Sequence, residues 1–131
     1  MIKHYFSLGI ILLFPLLSYC QIFVDASRPD DSGDGLSLAT AKRTINAGIT
    51  VATVGQTVFI ATGSYDACIL NKSVNLQGSG VGLTIIQGSG SGNGINITSS
   101  ISNVTIENLT VTNFFNGMNV STASLTISNL T

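Results

Sequence analysis

The pattern of apolar and polar positions in residues 102–131 predicts short β-strands around a common interior. Apolar residues alternate with polar ones in residues 104–106 and again in residues 109–112, the period expected of strands with one buried face. The phase of this alternation shifts at Glu107 and Asn108. Because Asn tolerates a left-handed backbone, we expect a bend there that directs both apolar faces to the same interior.

The same stretch also contains an internal repeat. VTIENLT at positions 104–110 returns as LTISNLT at positions 125–131, and NGINI at positions 93–97 returns as NGMNV at positions 116–120. Two different segments thus recur with nearly the same period, which is typical of solenoids, in which each coil pairs with the next. We therefore predict an all-β solenoid, a parallel β-helix with three short strands per coil of about 21–23 residues.

The preceding part of the chain predicts a cap and the first coils. Residues 37–53 form the one helical stretch, where Ser37 or Thr40 can cap a helix and Ile45, Ile49 and Ala52 share a face. We expect this helix to cover the apolar end of the first coil. The predicted strands are residues 21–26, 57–61, 68–70, 74–77, 84–87 and 95–98. Residues 21–56 are thus the N-terminal strand, loop and capping helix, and residues 57–131 are the coils.

Residues 1–20 have the form of a secretory signal peptide. Lys3 precedes an apolar run over residues 5–17. The small residues Ser18 and Cys20 lie just before the expected cleavage site, which precedes Gln21. A transmembrane anchor is less favoured, because it would need about 20 apolar residues and this run is shorter. A lipoprotein acylated at Cys20 is the alternative. We expect a secreted or cell-surface protein.

Removal of residues 1–20 changes the chemistry available to the chain. It removes His4, the only histidine, and with it Ser-His and His-metal sites. Four cationic and six anionic side chains remain, a net charge of −2 without a basic patch, so nucleic acid is a poor partner. Cys68 is then the only thiol, and we expect it to be an inert core residue.

The carboxylates do not predict a catalytic or metal site. Residues 30–35, DDSGDG, resemble the first half of a calcium loop, but Ala41 occupies the position of the closing Glu, and a solvated loop is the alternative. After Gly35 the acids are Asp66 and Glu107, which we place on different coils. We therefore predict no catalytic, cofactor-binding or metal-binding residue in this sequence.

The polar positions of the strands suggest one outward face of hydroxyl and amide groups. Such a face can bind sugars or stay solvated. It comprises Asn96, Thr105, Thr110, Thr112, Asn119 and Thr126. Six Asn-x-Ser/Thr triplets, at Asn71, Asn96, Asn103, Asn108, Asn119 and Asn129, fit either glycosylation or Asn at turns before an outward Thr or Ser.

Two segments resemble a known family. IFVDASRPDDSGDGLSLATAKRTINAGI and VGQTVFIATGSYDACILNKSVNLQGSGVGLTIIQGSGSGNGINIT resemble the N-terminal part of secreted bacterial right-handed β-helix proteins of the pectin-lyase-like superfamily, although Leu38 stands where an aromatic is frequent. The resemblance covers residues 22–120 and implies that the parallel β-helix is right-handed. It leaves open a polysaccharide lyase or glycoside hydrolase, a polysaccharide-binding protein, and a non-catalytic adhesin or structural repeat protein.

The sequence stops at Thr131, within a predicted strand and without a polar cap. Since apolar solenoid ends are normally covered, we expect the sequence to be the truncated N-terminal part of a longer protein that is a monomer at full length.

Overall fold

A computed structural model describes residues 21–98, 100–121 and 123–131 of the chain. The predicted signal peptide and Cys20 lie outside the described residues. The described strands are β1 (Ile22–Val24), β2 (Thr57–Ile60), β3 (Gly63–Tyr65), β4 (Cys68–Leu70), β5 (Asn75–Gly78), β6 (Thr84–Gln87), β7 (Asn93–Ile97), β8 (Ile101–Thr112), β9 (Asn116–Val120) and β10 (Ala123–Leu130). A 3-10 turn (Leu38–Thr40) and a short helix, α1 (Ile45–Val51), lie between β1 and β2.

Every pair of described strands is parallel, and these pairs form three ladders. Sheet A has the order β1-β2-β5-β8-β10, sheet B joins β3, β6 and the second half of β8, and sheet C has the order β4-β7-β9. Because β8 belongs to both sheet A and sheet B, these two sheets are continuous. The predicted parallel, solenoid-like β-architecture is confirmed.

The bend predicted at Asn108 is also confirmed. Asn108 has a φ of 58°, and Asn129, one coil later, has a φ of 48°. Before the bend Glu107 pairs with Gln77 of sheet A, and after it Thr110 pairs with Ile85 of sheet B. The left-handed residue thus lets one continuous strand turn the corner between two sheets.

The coil length is less regular than predicted. In sheet A, Ile106 pairs with Ile127, which is the predicted spacing. However, Val58 pairs with Leu76, a shorter spacing, and Leu76 pairs with Ile106, a longer one. A constant coil length is therefore wrong for the first coils, because the turns between strands differ in length while the strands stay in register.

The single helix predicted over residues 37–53 is wrong. Its first half is interrupted at Lys42, which forms an isolated parallel bridge with Val24. The Lys42 amide donates to the Phe23 carbonyl at 3.0 Å, and the Asp25 amide donates to the Lys42 carbonyl at 2.8 Å. Backbone that pairs with a strand cannot continue a helix, so Ser37 caps only the 3-10 turn and Thr44 caps α1.

The core consists of aliphatic side chains stacked from coil to coil. The predicted apolar face of α1 is confirmed, since Ile45, Ile49 and Ala52 are each buried. This face packs near β1, β2 and β4. Inside the coils the fully buried side chains are Val58, Ile60, Leu70, Val74, Leu76, Ile86, Ile95, Ile97, Ile106 and Leu109.

Candidate functional site

Five outward side chains lie in one continuous row across sheet A. The parallel register pairs Phe23 with Phe59, Phe59 with Gln77, Gln77 with Glu107, and Glu107 with Ser128. All five are partly exposed. Because neighbouring strands lie about 4.8 Å apart, this outer row of sheet A is about 19 Å long. It is the longest outward register that the described residues form.

The first two positions of the row are a pair of aromatic rings. The ring centroids of Phe23 and Phe59 are 6.0 Å apart, with an interplanar angle of 66°, an edge-to-face arrangement. On each strand the Phe lies between two buried aliphatic residues, Ile22 and Val24 in β1. These inward neighbours hold the rings on the outside of the sheet, where they present apolar surface.

The other three positions of the row are polar. Gln77 offers an amide with both donors and an acceptor, whereas an ionised Glu107 only accepts. The Ser128 hydroxyl donates to Glu107 Oε2 at 3.3 Å. The row therefore joins an apolar aromatic surface to a set of hydrogen-bonding groups along one line.

The predicted single outward face of Thr and Asn side chains is wrong. Its members lie on three sheets, because the bend at Asn108 and the turn before β9 each redirect the chain. Thr105 and Thr126 belong to sheet A, Thr110 and Thr112 to sheet B, and Asn96 and Asn119 to sheet C.

The outward Asn residues bond to one another between coils. Asn119 Nδ2 donates to Asn96 Oδ1 at 2.8 Å, and Asn129 Nδ2 donates to Asn108 Oδ1 at 3.0 Å. Asn116 makes the same contact with its counterpart in β7 at 2.9 Å. Four of the six Asn-x-Ser/Thr triplets thus begin at residues of these amide pairs, which stabilise the stack.

The two acids considered for catalysis do not meet. Asp66 lies in the turn between β3 and β4, whereas Glu107 points outward from sheet A. Among the described residues, no group of three or more His, Cys, Asp or Glu side chains could hold a metal ion. Asp66 and Glu107 therefore do not form the carboxylate pair that general acid and base chemistry needs.

Asp31 of the acidic loop caps the start of α1. Its Oδ1 accepts from the backbone amides of Arg43 at 2.6 Å and Thr44 at 2.8 Å, and its Oδ2 accepts from the Thr44 hydroxyl at 3.0 Å. The Asp31 carbonyl accepts from Lys42 Nζ at 2.8 Å. Asp31 thus joins the loop to the helix.

The other two carboxylates of this loop also accept hydrogen bonds within it. Asp34 Oδ1 accepts from the Thr40 hydroxyl and from the Leu36 amide, and the first of these bonds is the main cause that lowers the pKa of Asp34. Hydrogen bonds from the side chain and the backbone amide of Ser32 lower the pKa of Asp30. The three carboxylates therefore organise the loop itself.

A cleft of about 330 Å³ lies between α1 and the turn after β3. The Tyr65 hydroxyl, on its wall, accepts from the Ala26 amide at 3.2 Å and donates to the Ala61 carbonyl at 2.9 Å. Arg43 Nη1 donates to the Pro29 carbonyl at 3.2 Å. Most polar groups of the cleft are therefore engaged in holding the loop and α1 against the first coil.

Cys68 is buried, as predicted. Its side chain is 1% exposed in β4, and burial raises the pKa of the thiol to about 12. At neutral pH the thiol is protonated, and the thiolate needed for nucleophilic or redox chemistry is not formed.

The sequence alone did not identify the outer row of sheet A. Phe23 and Phe59 each stand in an uninterrupted apolar run, IFV and VFI, so alternation of apolar and polar residues does not mark them as outward. Gln77 was assigned to a strand, but its neighbours depend on the register between coils. One signal could have found Phe59. It lies two positions after Thr57 in the same predicted strand, so both side chains lie on the same face, which the polar Thr57 indicates to be the outward one.

Comparison of the chain with models of known protein families, with curated proteins and with solved structures finds no match. Within the part of the chain that the structure describes, none of the helices has the length and apolar character needed to cross a membrane.

Proposed function

We propose that this chain belongs to an exported right-handed parallel β-helix protein of the pectin-lyase-like kind, and that it binds polysaccharide along the outer row of sheet A. Export is supported by the signal-like residues 1–20, and the fold by the parallel ladders together with the motifs of residues 22–120.

The observation that carries the binding proposal is the in-register row of two aromatic rings, an amide, a carboxylate and a hydroxyl. A sugar ring has an apolar C–H face and a rim of hydroxyl groups. The Phe rings match the face and the polar side chains match the rim. An open row on the outside of a sheet suits a linear polymer, which gains affinity from successive weak contacts, better than a small ligand that needs a concave pocket.

Binding is tested with Phe59→Ala in affinity gel electrophoresis against a panel of soluble polysaccharides. We expect at least about a tenfold loss of affinity, because the substitution removes one of the two stacking surfaces. Ile69→Ala is the matched control, since Ile69 is an outward apolar residue of sheet C that is 50% exposed.

Urea denaturation of both variants shows whether the fold persists. The proposal is overturned if the unsubstituted protein binds none of the polymers, or if the two folded variants lose affinity equally.

A second function, a non-catalytic surface or structural repeat protein, is favoured by the amide pairs of sheet C. Asn96 with Asn119 and Asn93 with Asn116 direct their polar groups to each other along the stack. If the protein cleaves a polysaccharide, Asp66→Ala and Glu107→Ala should leave kcat within about threefold, far from the loss of about 10²-fold or more for a general acid or base, and a loss of binding at Glu107 should appear in KM. A larger fall in kcat at either position would show that the residue is catalytic.

A further inference from the structure

We infer that the outer row of sheet A selects neutral polysaccharides over acidic ones. The inference rests on the proposed function, and it concerns the class of polymer that the row accepts.

The charge of this face is the first argument. Among the described residues, the outward positions of sheet A carry one charged side chain, and it is the anionic Glu107. The other outward positions that the strand pairing places in register are uncharged, namely Phe23, Thr57, Phe59, Asn75, Gln77, Thr105, Thr126 and Ser128. Asp25, which follows Val24 at the end of β1, adds a second carboxylate near the aromatic end. A polyanion would meet like charge at the row.

The cations of the chain do not offset this charge, because three of them are bonded elsewhere. Lys42 Nζ donates to the Asp31 carbonyl, and Arg43 Nη1 donates to the Pro29 carbonyl. Lys72 Nζ donates to the Thr50 and Ala52 carbonyls at the end of α1. These contacts belong to the loop and helix at the start of the stack. The fourth cation, Arg28, lies in the loop that follows β1, where its charge acts on Asp30 of the same loop. Among the described residues, no hydrogen bond joins any of the four cations to a residue of the row.

Hydrogen-bonding capacity is the second argument. An ionised Glu107 only accepts, so its partner must donate, as a sugar hydroxyl or an N-acetyl N–H does. The carboxylate of a uronic acid only accepts, so it cannot form a hydrogen bond with Glu107 and would lie beside a like charge. Gln77, the neighbour of Glu107 in the row, has both a donor and an acceptor and can bond hydroxyl groups in either sense.

The test compares neutral polymers (hydroxyethyl cellulose, galactomannan and a soluble β-glucan) with polygalacturonate and alginate, by affinity gel electrophoresis at low and at physiological salt. We expect at least one neutral polymer to bind about tenfold or more tightly than either acidic polymer. Because surface charge is screened within about 8 Å at physiological ionic strength, the preference should be larger at low salt.

Glu107→Gln removes the charge of the row and keeps the size of the side chain. Asp66→Asn makes the same change of net charge in a turn away from sheet A. We expect Glu107→Gln to strengthen binding of the acidic polymers several-fold at low salt and Asp66→Asn to leave it unchanged.

The outcomes separate the two claims. If acidic polymers bind as tightly as neutral ones, or if the two variants behave alike, the selectivity inference is wrong and polysaccharide binding stands. If the protein binds none of the polymers, the proposed function itself fails.

Discussion

The two ends of the strand stack differ in how their edges are covered. At the start, the loop and α1 lie over the first coil. At the other end, β9 and β10 each pair with one strand among the described residues. Since a solenoid is held by contacts between adjacent coils, a substitution should cost more where both neighbours are present.

The covered end uses side chains as well as packing. Asn46 of α1 occupies the free edge of β4, because its Nδ2 donates to the Ala67 carbonyl at 3.3 Å and its Oδ1 accepts from the Ile69 amide at 2.9 Å. Lys72 donates to the last carbonyls of α1, where a cation also suits the helix dipole. Backbone groups that could pair with another strand are thus satisfied within the chain.

Burial decreases toward the other end. In sheet C, Leu70 and Ile97 are fully buried, whereas Val120, next in the same inward register, is 44% exposed. In sheet A, Ile106 is fully buried and its partner Ile127 is 46% exposed. Residues in the same inward register are therefore fully buried in one coil and exposed in the last described one. The same substitution can thus be compared at a buried and at an exposed position.

The largest expected difference is between Ile106→Asp and Ile127→Asp. The first places an unpaired charge in the core and should destabilise the fold by more than about 4 kcal/mol, whereas the second should cost less than about 1 kcal/mol. Circular dichroism and urea denaturation of the two variants measure the difference. Equal losses would mean that Ile127 is as buried in solution as Ile106.

Alkaline pH should destabilise the covered end specifically. Burial raises the pKa of Tyr65 and raises that of Cys68 from 9.0 to about 12. Both groups lose their protons at lower pH in the unfolded chain than in the folded one. For Cys68, the stabilisation is complete below pH 9 and is lost as the pH rises toward 12.

Through the Cys68 thiol, the free energy of unfolding should fall by up to about 1.4 kcal/mol per pH unit. Denaturation at a series of alkaline pH values measures it, and Cys68→Ala should show a shallower slope than the unsubstituted protein. If the slope in this variant equals that of the unsubstituted protein, the Cys68 thiol does not contribute to the loss of stability at alkaline pH.

Amide hydrogen exchange should follow the same gradient along the stack. We expect the amides of β9 and β10 to open with a free energy at least about 2 kcal/mol below that of β2, which pairs with a strand on each side, because strands with one partner fray first. Exchange followed by mass spectrometry of peptides resolves these segments. Protection of β10 equal to that of β2 would refute the gradient.

The smallest expected effect distinguishes two kinds of Asn. Asn46→Ala should cost about 1–2 kcal/mol, since it removes two hydrogen bonds to the edge of β4, and Asn119→Ala should cost less than about 0.5 kcal/mol, since it removes one exposed contact between side chains. Urea midpoints of the two variants test this order. The reverse order would assign the greater role to the amide pairs of sheet C.

Part of this structure could be predicted from local sequence. The change of parity at Glu107 and Asn108 predicted the bend, because a left-handed Asn is a local backbone preference. In contrast, β3 was missed, since Gly-Ser-Tyr has no alternation of apolar and polar residues and becomes a strand through pairing with β6. The helix was predicted too long because the bridge between Lys42 and Val24 is a tertiary contact.

The sequence by itself determined the parallel, coiled character of the chain and which aliphatic residues face the interior, since both follow from alternation and repetition along the chain. The tertiary structure decided which outward residues become neighbours. Phe59, Gln77, Glu107 and Ser128 are unequally spaced along the chain, yet they lie side by side. Turn lengths vary while the hydrogen-bond register between strands does not, so a row across the coils has no constant spacing in the sequence.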